Sequence, residues 1–286
     1  MRHALSQTAV SAKDDRYMKK FKKVHYVFHS DKIKDKRGAR FVLLADLHGI
    51  EYGQDNRQIV DYIEVCRPDA VLLAGDMIVT RDSETLHTSE KLLKKLAEHY
   101  PVYYVMGNHE AKSLYSSLYE TKYLEYERRL TQAGVRFLHN EREKLTVNNN
   151  EFTIYGLEIP LIYYKKPRSP FLTTDKIKSL IGKSSEDTYD ILLTHSPKYG
   201  DSYFKWGADL ILCGHYHGGI MRLTRHCGLF SPQGGLFPGF CCGDFSRKSQ
   251  HMLVSAGMGE HTIPLRIHNP RELLVIDIKK KQKEEI

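Results

Sequence analysis

The chain has 286 residues, of which 41% are apolar and 27% charged, the balance of a soluble globular protein with a substantial buried core. No window reaches the roughly 18 uncharged apolar residues that a bilayer span needs, and no apolar core follows the N-terminal basic residues as a secretory signal requires, so a cytoplasmic location is expected. The net charge of +8 favours anionic partners, phosphorylated substrates or an acidic membrane face at which contact would be peripheral.

The basic residues cluster at Lys19-Lys20-Phe21-Lys22-Lys23, at 32–40 and at 279–283. They lack the aromatic interleaving of an RNA- or DNA-binding module, so nucleic acid is not expected as a partner. Five cysteines, an odd number without a CxxC pair, argue against a disulfide framework or a thiolate zinc site. Cys213 lies in an apolar run and reads as a core residue, and the adjacent Cys241-Cys242 reads as incidental.

Residues 1–23 are polar and lack clear periodicity, which predicts a basic, flexible N-terminal arm. Residues 24–28 read as a strand, 32–38 as a charged turn and 41–45 as the next strand. Ile59, Ile63 and Cys66 recur at helical spacing behind Asp55, the expected N-cap, and Pro68 closes that element. Strand 71–74 follows. Leu92, Leu93 and Leu96 give helix 88–100 one apolar face, and Pro101 stops it. Strand 102–105 leads to a longer helical stretch, 113–133, whose Tyr115, Tyr119, Tyr123 and Tyr126 form a packing face.

From residue 135 the pattern becomes β-rich. Stretches 144–147 and 152–155 flank Asn148-Asn149-Asn150 as a hairpin. Helix 174–181, strand 190–194 and strand 207–213 come next. The Gly/Pro-rich segment 224–249 is long enough to be a functional or mobile loop. Strands 252–255 and 273–278 complete the pattern. Residues 24–280 therefore read as a single α/β domain of two packed β-sheets with helices outside, and 281–286 as a charged tail.

Five short segments carry metal-ligand residue types, and most of them follow apolar runs: Asp46-Leu47-His48, Gly75-Asp76, Gly107-Asn108-His109-Glu110, Thr194-His195 and Gly214-His215-Tyr216-His217. Strand ends on one sheet edge are close in space, so ligands distant in sequence can converge. Seven nitrogen and oxygen ligands exceed the needs of one ion and suit two that share a carboxylate, the chemistry of metal-assisted phosphate-ester cleavage. A carboxylate at Asp76 can bridge, and the glycine before it lets the backbone turn close to the ions. His109, next to Asn108, is expected to point toward the substrate. Carboxylate, amide and imidazole without thiolate suit Mn²⁺, Fe²⁺/Fe³⁺, Co²⁺ or Zn²⁺, with Mn²⁺ favoured.

The ordered pattern D-x-H, G-D, G-N-H-E, H, G-H-x-H resembles that of the calcineurin-like metallophosphoesterases. Within that superfamily the chain is similar to the bacterial YaeI/YkuE-type branch, a likeness that extends through Gly218-Gly219, Leu236-Phe237-Pro238, the 255–259 segment and the 264–273 segment. The resemblance implies an α/β (α+β) four-layer sandwich, two packed mixed β-sheets flanked by helices. It implies that Asp46, His48 and His217 hold one divalent ion, that Asn108, His195 and His215 hold a second, and that Asp76 bridges them. His109 would contact the phosphate oxygen or protonate the leaving group. The Asp-Arg-Gly element of the protein Ser/Thr phosphatases is missing from Gly75-Asp76-Met77-Ile78-Val79-Thr80-Arg81-Asp82, which disfavours that activity.

The expected function is a dinuclear metal-dependent phosphodiesterase acting through a hydroxide that bridges the ions. The alternatives are a pyrophosphatase acting on a nucleotide-sugar or lipid-linked diphosphate at a membrane surface, and a non-catalytic metal-site scaffold. The partner expected is a phosphorylated small-molecule or lipid-linked substrate. Arg222, Arg225 and Arg266 are candidate contacts to a substrate phosphate, and His251 and His261 are candidates for the pocket edge.

Overall fold

The computed structural model describes residues 20–166, 168–230, 235–260 and 265–282. Among them, two six-stranded mixed sheets pack face to face, and helices cover both outer faces. The first sheet comprises β1 (Lys22–Ser30), β2 (Ala39–Leu44), β3 (Ala70–Leu73), β4 (Val102–Tyr104), β5 (Val135–Phe137) and β12 (Glu272–Lys280), in the order β1-β12-β2-β3-β4-β5. Strands β2 to β5 run parallel, and β12 lies antiparallel to β2. The second sheet comprises β6 (Arg142–Val147), β7 (Asn150–Leu157), β8 (Tyr189–Thr194), β9 (Leu210–Cys213), β10 (Gly243–Arg247) and β11 (Gln250–Val254). Its order is β10-β11-β9-β8-β7-β6, with the four inner strands parallel and both edge strands antiparallel.

Parallel strands covered on both faces read as continuous apolar runs, and the side-chain period of two sorts each run into two cores. Phe41 and Leu43 enter the core between the sheets with Leu72, Phe152, Ile154, Ile191, Leu193 and Leu212. Their neighbours Val42, Leu44, Val71 and Leu73 face outward onto α1 (Arg57–Cys66), α2 (Ser83–Ala97) and α4 (Glu120–Gln132). On the far side, Leu192, Ile211 and Cys213 meet α5 (Thr174–Ile181) and α6 (Gly200–Trp206). The four layers match the expected sandwich. They place the C-terminal ends of β2, β3 and β4 along one edge of their sheet, and those of β8, β9 and β11 along one edge of the other.

Several sequence expectations need correction. Lys22 and Lys23 belong to β1, so the first strand begins inside the stretch read as an arm; residues 1–19 lie outside the described ones, as do 283–286 of the charged tail. Asp55 does not cap α1: it sits at φ 52° in a 3-10 turn, Asn56 precedes the helix without a side-chain cap, and the Asp55 carboxylate pairs with Lys91. Helix α2 starts at Ser83, where Asp82 accepts from Glu84 N as the true cap. The stretch 113–133 is two helices, α3 (Asn108–Leu114) and α4, parted by residues 115–119. Tyr123 and Tyr126 are buried, whereas Tyr115 is 79% exposed, so the tyrosine stripe packs over one half only. Helix α6 occupies the segment before β9, and β10 lies inside the supposed loop 224–249.

Candidate metal centre

Asp46 and His48 lie in the loop after β2, Asp76 after β3, Asn108 and His109 at the start of α3, His195 directly after β8, and His215 and His217 after β9. Asp46, His48, Asp76, His215 and His217 adopt φ values of 52°, 49°, 53°, 71° and 47°. Each such left-handed non-glycine residue costs on the order of 1 kcal/mol or more, and such strain concentrates at functional sites. A backbone network holds it in place. Asp46 N donates to Gly75 O at 3.0 Å, His48 N to Asp76 O at 3.1 Å, and Gly214 N to His195 O at 3.0 Å. The Asp46 carboxylate accepts from His215 N at 3.0 and 2.9 Å.

These loops bring six of the seven predicted ligand residues into overlapping groups whose donor atoms lie within 4.8 Å of one another: Asp46, His48 and His217; Asp76, His195 and His215; and His48, Asp76 and His109. Asp76 Oδ2 lies 3.0 Å from His195 Nε2 and 4.0 Å from His48 Nε2, between the first two groups. His217 Nε2 is 3.5 Å from Asp46 Oδ1 and 3.1 Å from His48 Nε2. The seventh residue, Asn108, is buried between Gly107 and His109, and His109 N donates to Asp76 Oδ1 at 2.8 Å. Its Oδ1 is buried with no hydrogen-bond partner. A buried amide oxygen left without a donor is costly, and a cation would satisfy it. The donor set of carboxylate oxygens, an amide oxygen and imidazole nitrogens fits divalent ions of the Mn²⁺–Zn²⁺ range.

The electrostatics agree with a cation site. Burial opposes the Asp76 charge, yet His195, His109 and His48 outweigh it and hold that carboxyl well below the usual range. Burial raises the Asp46 carboxyl to about 7, with His195 opposing and Asp76 assisting. His195 rises to about 9: burial lowers it, but Asp76 and Asp46 prevail. Buried carboxylates here draw positive charge from imidazolium, and divalent cations can supply it instead.

Two residues without a predicted role, Glu110 and Thr80, and one candidate phosphate contact, Arg266, shape the site. Glu110, fully buried, accepts from Asp76 N and Gly107 N through Oε2 and from Met77 N and Tyr104 Oη through Oε1. Burial and Asp76 push its carboxyl up to about 7, while these donors favour the charged form. Thr80 N donates to His109 Nδ1 at 2.9 Å. That bond fixes the tautomer of neutral His109, with Nδ1 as acceptor and Nε2 carrying the proton. Arg266 reaches Gly259 O at 2.6 Å and His217 Nδ1 at 3.4 Å through Nη2, so it borders the centre. Arg222 and Arg225 instead pair with Glu272 and Asp244. His251 stacks on Phe28 at the opposite strand ends, and His261 lies outside the described residues.

Glycine is required where loops cross. A Cβ on Gly107 would stand 2.6 Å from Asp76 N and collide with the Asp76 carboxylate. Beside His109 opens a cavity of about 620 Å³ lined by Thr80, Arg81, Lys112, Tyr115, Ser116 and Leu161 among others.

A four-layer sandwich with buried carboxylates and imidazoles converging at the strand ends of both sheets defines a metal-dependent phosphoester hydrolase. The chain belongs to the calcineurin-like phosphoesterase family, whose model matches residues 39–219. It is 30% identical over 251 residues to "Transmembrane protein with metallophosphoesterase domain" of Danio rerio, a match covering 85% of this chain and 53% of that protein. It is 23% identical over 246 residues to "Uncharacterized metallophosphoesterase YkuE" of Bacillus subtilis, covering 85% and 79%. It is 27% identical over 166 residues to "Phosphodiesterase YaeI" of Escherichia coli, covering 58% and 55%. These relatives place it with the YaeI/YkuE-type branch. The chain spans about half the length of the animal relatives it matches. Among the described residues no helix is long and apolar enough to cross a membrane.

Proposed function

We propose that the chain is a dinuclear phosphodiesterase, in which Asp46, His48 and His217 hold one divalent ion, Asn108, His195 and His215 a second, and Asp76 both. The position of Asp76 between the two ligand groups carries this reading. When bound, the pair would supply the Lewis acidity that neutralises phosphate oxygens and lowers the pKa of an attacking water. Mn²⁺ is the first choice for loading, and a phosphorylated small molecule or a lipid-linked phosphoester is the substrate class.

The protein residues then bind, orient and move protons. His109, with Nδ1 held by Thr80, offers Nε2–H to a phosphate oxygen or to the departing alkoxide. Burial lowers its pKa against the pull of Asp76, so the neutral donor form prevails. The leaving group would occupy the cavity beside His109. The name of the YaeI relative favours a diester. A second reading, cleavage of a diphosphate bond, is favoured by Arg81 and Lys112 in that cavity, since a departing phosphate would meet both.

A substrate panel tests the choice: Mn²⁺-loaded protein against an aryl phosphodiester, an aryl monoester, cyclic nucleotides and a nucleotide sugar. The diester should give the highest kcat/KM. Preference for the nucleotide sugar would install the second reading, and no turnover of any of them would reject both.

A further inference from the structure

Directly after His217 the chain builds a small apolar platform. Ile267 N donates to Ile220 O at 2.9 Å, Arg222 N to Ile267 O at 3.0 Å, Leu229 N to Met221 O at 2.9 Å, and Phe237 N to Leu229 O at 3.0 Å. Four short stretches are thereby laced side by side. Close packing ties them to the domain, for a Cβ on Gly219 would stand 2.8 Å from Gly228 Cα and 3.0 Å from the buried Cys241 Sγ. On this base Leu223, Phe230, Leu236, Phe237 and Leu265 stand 50%, 43%, 61%, 59% and 49% exposed. All five lie in or beside the laced stretches, and such clustering of large exposed apolar side chains marks an interaction site, whereas scattered ones need no explanation.

Two further observations say what this surface meets. Next to the platform lies a cavity of about 670 Å³ whose lining includes Lys20, Leu265, Arg266, His268 and Arg271, and its one acid, Glu260, is already engaged by Arg271 and Arg266. Apolar side chains beside a cationic recess are the pattern of a protein seated in the headgroup layer of an anionic bilayer. The platform also shares a segment with the metal centre. Leu265 points outward, while Arg266 turns inward to Gly259 O and His217. A phosphoester carried by a lipid would thus arrive at the centre while its acyl chains stay in the membrane.

We propose that the platform of Leu223, Phe230, Leu236, Phe237 and Leu265 docks the enzyme on an anionic lipid bilayer. Delivery of a lipid-borne phosphoester rests on the proposed phosphodiesterase reading; the docking itself does not.

The test is co-sedimentation of the full chain with phosphatidylcholine vesicles containing or lacking about 30% phosphatidylglycerol. Wild type should pellet with the anionic vesicles. A Leu236→Ser/Phe237→Ser variant, and independently Leu265→Ser, should lose at least about tenfold in partitioning, because exposed apolar side chains supply the insertion energy. Both variants should keep turnover of a soluble aryl diester within about twofold, which shows that they are folded. Wild type left in the supernatant, or folded variants that partition unchanged, would overturn the docking. So would a concentration-dependent dimer abolished by the same substitutions, which would assign the platform to a second copy of the chain. Absent turnover of the soluble diester with normal vesicle binding would instead sink the phosphodiesterase reading alone.

Discussion

At the scale of single residues, His109 and Asp76 separate chemistry from metal binding. Replacing His109 with Ala removes the Nε2–H of the imidazole that Thr80 N orients through Nδ1 but leaves the other donor residues in place. Turnover should fall by about 10²–10⁴, the usual worth of a positioned acid–base group, while elemental analysis still finds the full metal content. Asp76→Asn keeps the shape and removes the charge between the two groups. It should lower metal stoichiometry as well as rate, and unchanged occupancy would end its assignment to both ions. The candidate donor residues were legible in the sequence because they stand in short motifs, most of them directly after an apolar run. Thr80 and Glu110 were not, since they act on backbone N–H groups and an imidazole about thirty residues away, contacts that only the crossing of two loops creates.

Among the elements, α3 is the clamp. Its Glu110 accepts N–H bonds from the loop after β3 and from Gly107, so one buried carboxylate ties together two loops that carry candidate metal ligands. In Glu110→Gln one of the two acceptor oxygens becomes an NH₂ facing N–H donors. Loss of charge-assisted bonds at a buried site should cost about 1.5–3 kcal/mol in urea unfolding, with metal affinity falling in step as the loops loosen. A variant as stable as wild type would show that the clamp is redundant. The helices were the least legible part of the fold. Residues 108–133 carry enough helix-formers to read as continuous past Ser113, but the chain needs a break at 115–119 to turn α4 back so that Tyr123, Tyr126 and Leu130 cover the first sheet. Helix α6 was hidden because its Tyr203, Phe204 and Trp206 suggest no clear period over only seven residues.

In the whole molecule, the sheets were legible as apolar runs, whereas their order was not, because β12 inserts between β1 and β2 through pairing that no local pattern encodes. The two halves are joined where β5 passes into β6, and His139 sits in that crossover. Its Nε2 lies 3.1 Å from Glu127 on α4, and its Nδ1 lies 3.0 Å from Glu158 after β7. Glu158 in turn accepts from Met106 N in the loop that precedes Asn108 and His109 of α3. With carboxylates on both nitrogens, the imidazolium form is favoured. Glu127 first and then Glu158 raise the His139 pKa from 6.5 to about 10, against burial. Because the folded pKa lies above the unfolded one, the stabilisation is fully present below pH 6.5 and is lost as pH rises toward about 10. The side chain is 37% exposed, so solvent screening holds the effect to about 1 kcal/mol. His139→Gln should therefore be less stable than wild type in urea unfolding at mildly acid pH, with the gap closing as the pH approaches 10. A gap that stays constant across that range would assign His139 to packing against Phe137 and remove the charge from the junction of the two sheets.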